Sequence, residues 1–316
     1  MEYDVKVCSM RAGMEVEGFY LLQDASIRQS SAGKPYLNCS VSDASGSIEA
    51  KMWDYSGTLG PDDNGKVIKI RAEVQDYKGA PQLKINRLRA ALPEDTYDIS
   101  ALVPAAPIDA MEELDYIREL VESIEDEDYR VICEQLLDRH INSFSRIPAG
   151  KSVHHSFLSG LLMHTGSMLR IADFLSTEIY PYAVDRSLLL AGTLLHDFAK
   201  EREYAFSELG LITDTGTDGM LLGHPFMGAE EVRQVGLELN VPHEKIVLLQ
   251  HMLLSHHGKP EFGAAVLPLT AEAELLSEID MMDSRMEIYA ETFETLEPGQ
   301  FSKKIFALDK KIYRHE

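Results

Sequence analysis

AGTLLHDFAKERE, residues Ala191–Glu203, is the stretch on which the class of the larger half of this chain turns. Ala191, Leu194, Leu195 and Phe198 recur at helical spacing, so the segment predicts an amphipathic helix. Between them, where the apolar face should be deepest, stand His196 and Asp197. Burying a carboxylate costs several kcal/mol unless a partner compensates it. The segment therefore predicts a helical domain with something inside it that pairs with a His-Asp dipeptide.

Outward from this stretch the helical period persists, marking helices over 108–124, 126–142, 157–177, 185–203, 226–239, 242–257 and 270–292. Upstream the period falls to two. From Val16 to Leu92, turn signals divide the chain into five strands: VEGFYLLQDASIRQ, YLNCSVSD, IEAKMWDY, KVIKIRAEVQDY and QLKINRLRAAL. Five short antiparallel strands with this spacing fit a small closed barrel of the OB type. The expected fold class is thus multidomain α and β. A five-stranded OB-fold barrel over residues 1–92 is followed by a linker over 93–110, rich in Pro, Ala and Asp, and an all-α domain over 111–316.

Composition narrows the function classes. No apolar run approaches the roughly 18 residues of a membrane span, and the N-terminus lacks the pattern of a signal peptide. Cys8, Cys39 and Cys133 lie far apart without a CxxC pair, as free thiols in a reducing cytoplasm would. The net charge of −22 argues against nucleic-acid binding through bulk charge. It is unevenly spread, however: residues 1–95 carry 12 Lys+Arg against 14 Asp+Glu, and the remainder carries 18 against 38. The barrel is the better candidate for holding an anionic polymer. Alternation sends Ile48, Ala50, Met52, Leu37, Cys39, Val41, Ile68, Ile70, Ala72 and Val74 inward. It leaves Tyr36, Lys51, Trp53, Lys69, Arg71 and Lys84 outside, aromatics among bases, which suits single-stranded nucleic acid. The plainer reading keeps Trp53 as a half-buried edge aromatic among solvated lysines.

The histidines carry the chemistry. His164, His196, His224, His256 and His257 all lie inside or at the ends of apolar helical segments, and Asp280 sits between Ile279 and Met281. One buried histidine is usually a satisfied core residue. The same oddity on five segments asks for five separate partners, or for one shared metal centre. With Asp197 these are seven candidate ligands, too many for a single divalent ion. They suit two ions bridged by Asp197. Lys200, four residues after His196 and three after Asp197, reaches the same pocket on a helix and would stabilise phosphoryl charge. Two metals about 3.5–4 Å apart are suited to phosphate-ester hydrolysis.

The order H…HD…D, with His224 and the His256-His257 pair between, resembles the HD-domain metal-dependent phosphohydrolases. His164, His196, Asp197 and Asp280 match the defining residues, HDFAK looks like the family's HD-x-x-K, and His224, His256 and His257 match the added ligands of two-metal members. Together with GKPYLNCSVSDASGSIEAKMWD, AGKSVHHSFLSGLLMHT, LLGH and LLSHHGKPEFG, the chain is similar over nearly its whole length to the YhaM-type 3′→5′ exoribonucleases, which join an OB-fold to an HD domain. That resemblance implies a cytoplasmic enzyme shortening single-stranded RNA from the 3′ end with a metal-activated hydroxide, and leaves activity on single-stranded DNA open. It points to two Mn²⁺ ions, with Fe²⁺, Zn²⁺ and Co²⁺ also compatible with these ligands. The Gly-Tyr-Pro motif of cyclic-dinucleotide phosphodiesterases is absent after His257, where HGKPEFG stands, and Gly160 replaces the third-metal Glu of some relatives.

Weaker candidates are Lys151 and His155, with His154, in the segment before the first ligand helix, and Arg285, five residues after Asp280. Each is set against a blander role in packing or on a solvated helix face. His140, His243 and His315 read as surface residues, and His251 as structural. Alternatives to the exoribonuclease are a nucleotidase acting on small phosphate esters and a non-catalytic RNA-binding protein. No membrane partner is expected, and a homo-oligomer is left open.

Overall fold

The computed structural model describes residues 2–150, 157–207 and 209–316. The chain divides into two compact units, residues 1–105 with 206–211 and residues 106–205 with 212–316. No helix among the described residues is long and apolar enough to cross a membrane.

In the first unit five strands close a barrel: β1 (Glu15–Gln29), β2 (Pro35–Asp43), β3 (Gly46–Trp53), β4 (Val67–Tyr77) and β5 (Ala80–Ala90). β1 pairs antiparallel with both β2 and β4, β2 with β3, and β4 with β5. A parallel contact between β3 and β5, at Ala50↔Leu83 and Lys51↔Lys84, completes the ring. This strand order is that of the OB fold. β1 can serve two neighbours because it bends, with Asp24 at φ 50° and a register shift between Gln23 and Ser26. Leu37, Val41, Ile68, Ile70 and Leu83 fill the interior as alternation requires. Each such side chain contributes roughly 1.5–3 kcal/mol through burial.

A second bulge changes what the barrel shows outside. Arg71 opposes Arg87, but Ala72 opposes Ile85, so Asn86 is an extra residue in β5. Asn86 and Arg87 are consecutive and both exposed. The alternation is reversed beyond that point, which puts Arg87 beside Arg71 and Arg89 beside Lys69.

The second unit packs α1 (Ala110–Glu122), α2 (Glu127–Phe144), α3 (Gly160–Phe174), α4 (Arg186–Leu195), α5 (Thr217–Glu238), α6 (His243–Ser255) and α7 (Ala271–Thr295). Asp109, Asp126 and Asp185 cap α1, α2 and α4 through backbone N–H groups of the first turn. Two helices differ from expectation. The helix expected over 185–203 stops at Leu195, and a four-residue turn of helix begins again at Lys200. His196 competes for the local backbone there, its Nδ1 donating to the Thr193 carbonyl. The helix expected from 226 begins at Thr217 and kinks, with Gly223 at φ 73° and Pro225 lacking the N–H to continue the ladder. His140 is not a surface residue: it is buried between Glu201 and Glu231. His243 and His315 are exposed.

Candidate metal centre and nucleic-acid face

Each helix break delivers a candidate ligand. α3 carries His164, the turn after α4 carries His196 and Asp197, the α5 kink carries His224, the end of α6 carries His256 and His257, and α7 carries Asp280. These residues form two clusters, His164 with His196 and Asp280, and His224 with His256 and His257, the donor atoms of each lying within 4.8 Å of one another. Asp197 stands between them. Its Oδ2 is 3.2 Å from His196 Nε2 and 3.9 Å from His164 Nε2, while its Oδ1 is 3.1 Å from His224 Nε2 and 3.8 Å from His256 Nε2.

Four of the imidazoles are oriented from behind. His196 and His256 each donate Nδ1–H to the carbonyl three residues earlier, Thr193 at 2.8 Å and Leu253 at 2.7 Å. His164 Nδ1 meets Asp283 Oδ2 at 2.7 Å, and His224 Nδ1 meets Glu203 Oε2 at 2.6 Å. Ser167 donates to the other oxygen of Asp283. With Nδ1 engaged, each ring turns Nε2 inward, toward Asp197. His196, His224 and His256 Nε2, Asp197 Oδ1 and His257 Nδ1 are all buried with no hydrogen-bond partner among the described residues. Native interiors seldom leave so many polar atoms unmatched in one place. Imidazole lone pairs and a carboxylate facing one another are the donor set of a divalent cation, so the residues present fit a metal.

The local charges agree. Burial opposes the Asp197 carboxylate, but Lys200 and His196 outweigh it and hold it well below the usual range. Burial likewise opposes the Lys200 ammonium, and Asp197 overcomes this to keep it charged. Burial and the neighbouring His257 push His256 well down, so it is neutral. Burial lowers His164, but Asp280 and Asp283 reverse the effect and push it up to about 9, so a cation binding at its Nε2 would have to displace a proton. Lys200 Nζ lies 2.6 Å from Asp197 Oδ2. Arg285 is exposed on α7, at a cavity of about 460 Å³ that His256, His257 and Asp280 also line. Lys151 and His155 lie outside the described residues. His251 accepts the Leu269 N–H at Nε2, a structural contact.

On the barrel, Tyr36 and Trp53 are cross-strand neighbours with ring centroids 4.7 Å apart, and Trp53 is half exposed. Lys51 lies beside Lys84 and over the Tyr77 ring. Lys69 and Arg71 adjoin a second cavity, about 530 Å³, together with Arg87 and Arg89. Arg89 is already committed to Asp95, which it grips through both terminal nitrogens. Arg87, Asp283 and Glu203 are the residues that sequence reasoning passed over.

An HD domain family model matches residues 161–285. The 3′-5′ exoribonuclease YhaM of Shouchella clausii is 37% identical over 309 residues, covering 96% of this chain and 94% of that protein. Its namesake from Listeria welshimeri is 36% identical over 313 residues, covering 98% and 97%. The OB domain of a Thermoplasma acidophilum protein matches 31% of this chain and 92% of its own, at 14% identity and a TM-score of 0.25; at that score it adds nothing to the strand order above.

Proposed function

The chain belongs to the YhaM family of 3′-5′ exoribonucleases, and from that membership and the site's geometry we propose that it shortens single-stranded RNA from the 3′ end by metal-dependent phosphodiester hydrolysis. The observation that carries this reading is the division of Asp197 between two histidine clusters, one carboxylate oxygen to each. His164, His196 and Asp280 would hold one cation and His224, His256 and His257 a second, with Asp197 placed to serve both. Two divalent ions there, Mn²⁺ as the family resemblance implies, supply Lewis-acid stabilisation of charge on the attacking and leaving oxygens.

The protein's own groups prepare that site. Lys200 keeps Asp197 ionised and fixes its orientation. Asp283 and Glu203 engage Nδ1 of His164 and His224, which orients each ring with Nε2 toward the candidate metal position. Tyr36 and Trp53 offer stacking surfaces to unpaired bases, while Lys51, Lys69, Arg71 and Lys84 follow the phosphates. The three free cysteines suit a reducing cytoplasm, where we place the activity.

The test is a 5′-labelled single-stranded RNA incubated with the protein and Mn²⁺, beside lanes with EDTA and with the Asp197→Ala variant. A ladder shortening from the 3′ end only in the first lane is the expected result. RNA left intact in all lanes, with inorganic phosphate released from mononucleotides, would replace this reading with a nucleotidase.

A further inference from the structure

The cavity of about 460 Å³ beside the second histidine cluster has a size typical of a small-molecule site. Its wall is unusual in composition. Phe262 is 64% exposed and has no ring partner among the described residues. Lys259 and Arg285 line the cavity, and neither makes an ion pair among the described residues. Glu274 and Glu278 line it too, both exposed.

The placement of these groups is fixed. The loop after α6 turns through Gly258 at φ 73° and Gly263 at φ 106°. A Cβ at Gly258 would collide with Ser277, and one at Gly263 would come within 3.0 Å of His257 Nδ1. The loop is thus pressed against α7 and the histidine pair, and backbone bonds from Phe262 N and Ala264 N to the Lys259 carbonyl close it. Phe262 is therefore held at the cavity by a short, well-bonded turn. Along α7, Glu274 and Glu278 precede the ligand carboxylate Asp280 and Arg285 follows it. At a rise of 1.5 Å per residue, Glu274 stands about 9 Å to one side of Asp280 and Arg285 about 7.5 Å to the other.

The cavity floor is thus acidic on one side of the candidate metal ligand and basic on the other. A phosphodiester is drawn to the Arg285 side and repelled from the glutamates. What carboxylates accept is a hydroxyl proton. Within an RNA strand, the nucleoside at the 3′ end has two free ribose hydroxyls and no following phosphate. We propose that this cavity is a subsite for the 3′-terminal nucleoside of RNA: Phe262 stacks on its base, and Glu274 and Glu278 accept hydrogen bonds from its 2′ and 3′ hydroxyls and turn away a 3′-phosphate. The identity of the ligand rests on the exoribonuclease reading above. The subsite explains why attack is confined to the last bond, since an internal nucleotide would bring its 3′-phosphate against the two glutamates.

The experiment is calorimetric binding of adenosine 5′-monophosphate and adenosine 3′,5′-bisphosphate to the Mn²⁺-loaded full chain, run beside the RNA-shortening assay. The monophosphate is expected to bind about tenfold or more tightly than the bisphosphate. The Glu274→Gln/Glu278→Gln double variant should narrow that ratio to about threefold or less. Phe262→Ala should weaken both ligands, and Phe262→Tyr should restore them, which separates stacking from a folding defect. Equal affinity of the wild type for the two nucleotides, or no binding of either by a protein that shortens RNA, overturns the subsite. Discrimination without RNA shortening leaves the subsite standing and overturns the exonuclease reading instead.

Discussion

Lys200 Nζ lies 2.6 Å from Asp197 Oδ2, the same carboxylate oxygen that faces His196 at 3.2 Å. Both partners are buried, so removing the ammonium would strand a carboxylate among imidazoles. Losing one member of such a pair costs about 3–5 kcal/mol. Lys200→Met should therefore lower the melting temperature of metal-free protein. Added Mn²⁺, by supplying the missing positive charge, should recover more stability in the variant than in the wild type. RNA shortening should fall about 100-fold. Differential scanning fluorimetry with and without Mn²⁺ checks the first part; identical metal-free melting would sink the argument.

Asp283 and Glu203 grip the rear nitrogens of His164 and His224, one in each cluster. Asp283→Asn and Glu203→Gln keep the shape but weaken the acceptor that orients each ring. Each should reduce metal affinity by roughly 10–100-fold. The loss should be confined to one of two binding steps in a competition titration against a chelating dye. A single binding step, or equal effects on both steps from either variant, would contradict the two-cluster arrangement.

The parts of this molecule that follow a strict period were legible in advance, and those set by a break in the period were not. Leu37, Val41, Ile68 and Ile70 sit inside the barrel because the chain alternates there without interruption. Arg87 escaped notice because the bulge at Asn86 reverses the alternation, and nothing in LKINRLR marks where the extra residue falls. His196 and Asp197 look like helix-interior residues by spacing, yet the helix ends before them. Their candidacy as ligands came from recurrence across five segments, a property that survives misplacing one helix end. Asp283 and Glu203 are single acids in a chain of net charge −22, where an acid on a helix face signals nothing by itself. Asp283 does lie three residues after Asp280, one turn along α7, so that the two carboxylates flank His164 from its two nitrogens. That spacing was the clue to read.

On the barrel, stacking and charge should separate cleanly. Trp53→Ala removes a half-exposed ring paired with Tyr36 and should weaken single-stranded RNA binding by about 1–3 kcal/mol, with the salt dependence unchanged. Arg71→Gln and Arg87→Gln remove adjacent cations and should each flatten the plot of log affinity against log salt by about 0.7 for every phosphate no longer neutralised. Fluorescence anisotropy across a salt series distinguishes the two. A Trp53→Ala variant that binds RNA as the wild type does would mark the ring as an edge aromatic without a role.

His140 gives the helical unit a pH dependence through groups outside the two histidine clusters. Burial lowers its imidazole, but Glu201 and Glu231 outweigh this and push it up to about 9 from an ordinary 6.5. A histidine raised on folding stabilises fully below its unfolded value and loses that contribution as pH rises through its folded one. Stability from this site should thus be complete below about pH 6.5 and gone above about pH 9. The change should be on the order of 1–2 kcal/mol after solvent screening. Urea denaturation of metal-free protein across this window should slope downward in the wild type and less steeply in His140→Gln, where His164, raised in the same way, keeps its share. An unchanged slope in the variant would assign the effect to other groups.

Glu291, near the end of α7, provides the opposite sign. Burial, with Glu287 one turn before and Glu294 one turn after, pushes its carboxyl up to about 7. An acid whose pKa rises on folding costs stability wherever it must ionise in the folded state, and the cost disappears as pH falls toward its ordinary 4.5. Glu291→Gln removes that charge while keeping the side chain's size. The variant should be more stable than the wild type at pH 8, by about 1 kcal/mol once solvent screening is allowed for. That corresponds to a rise in melting temperature of about 2–4 °C for a unit of this size. At pH 4, below the ordinary value, where the carboxyl is largely protonated in the folded and the unfolded chain alike, the two proteins should melt nearly together. A stabilisation of equal size at both values would trace the gain to something other than charge, such as the weaker desolvation of an amide on this helix.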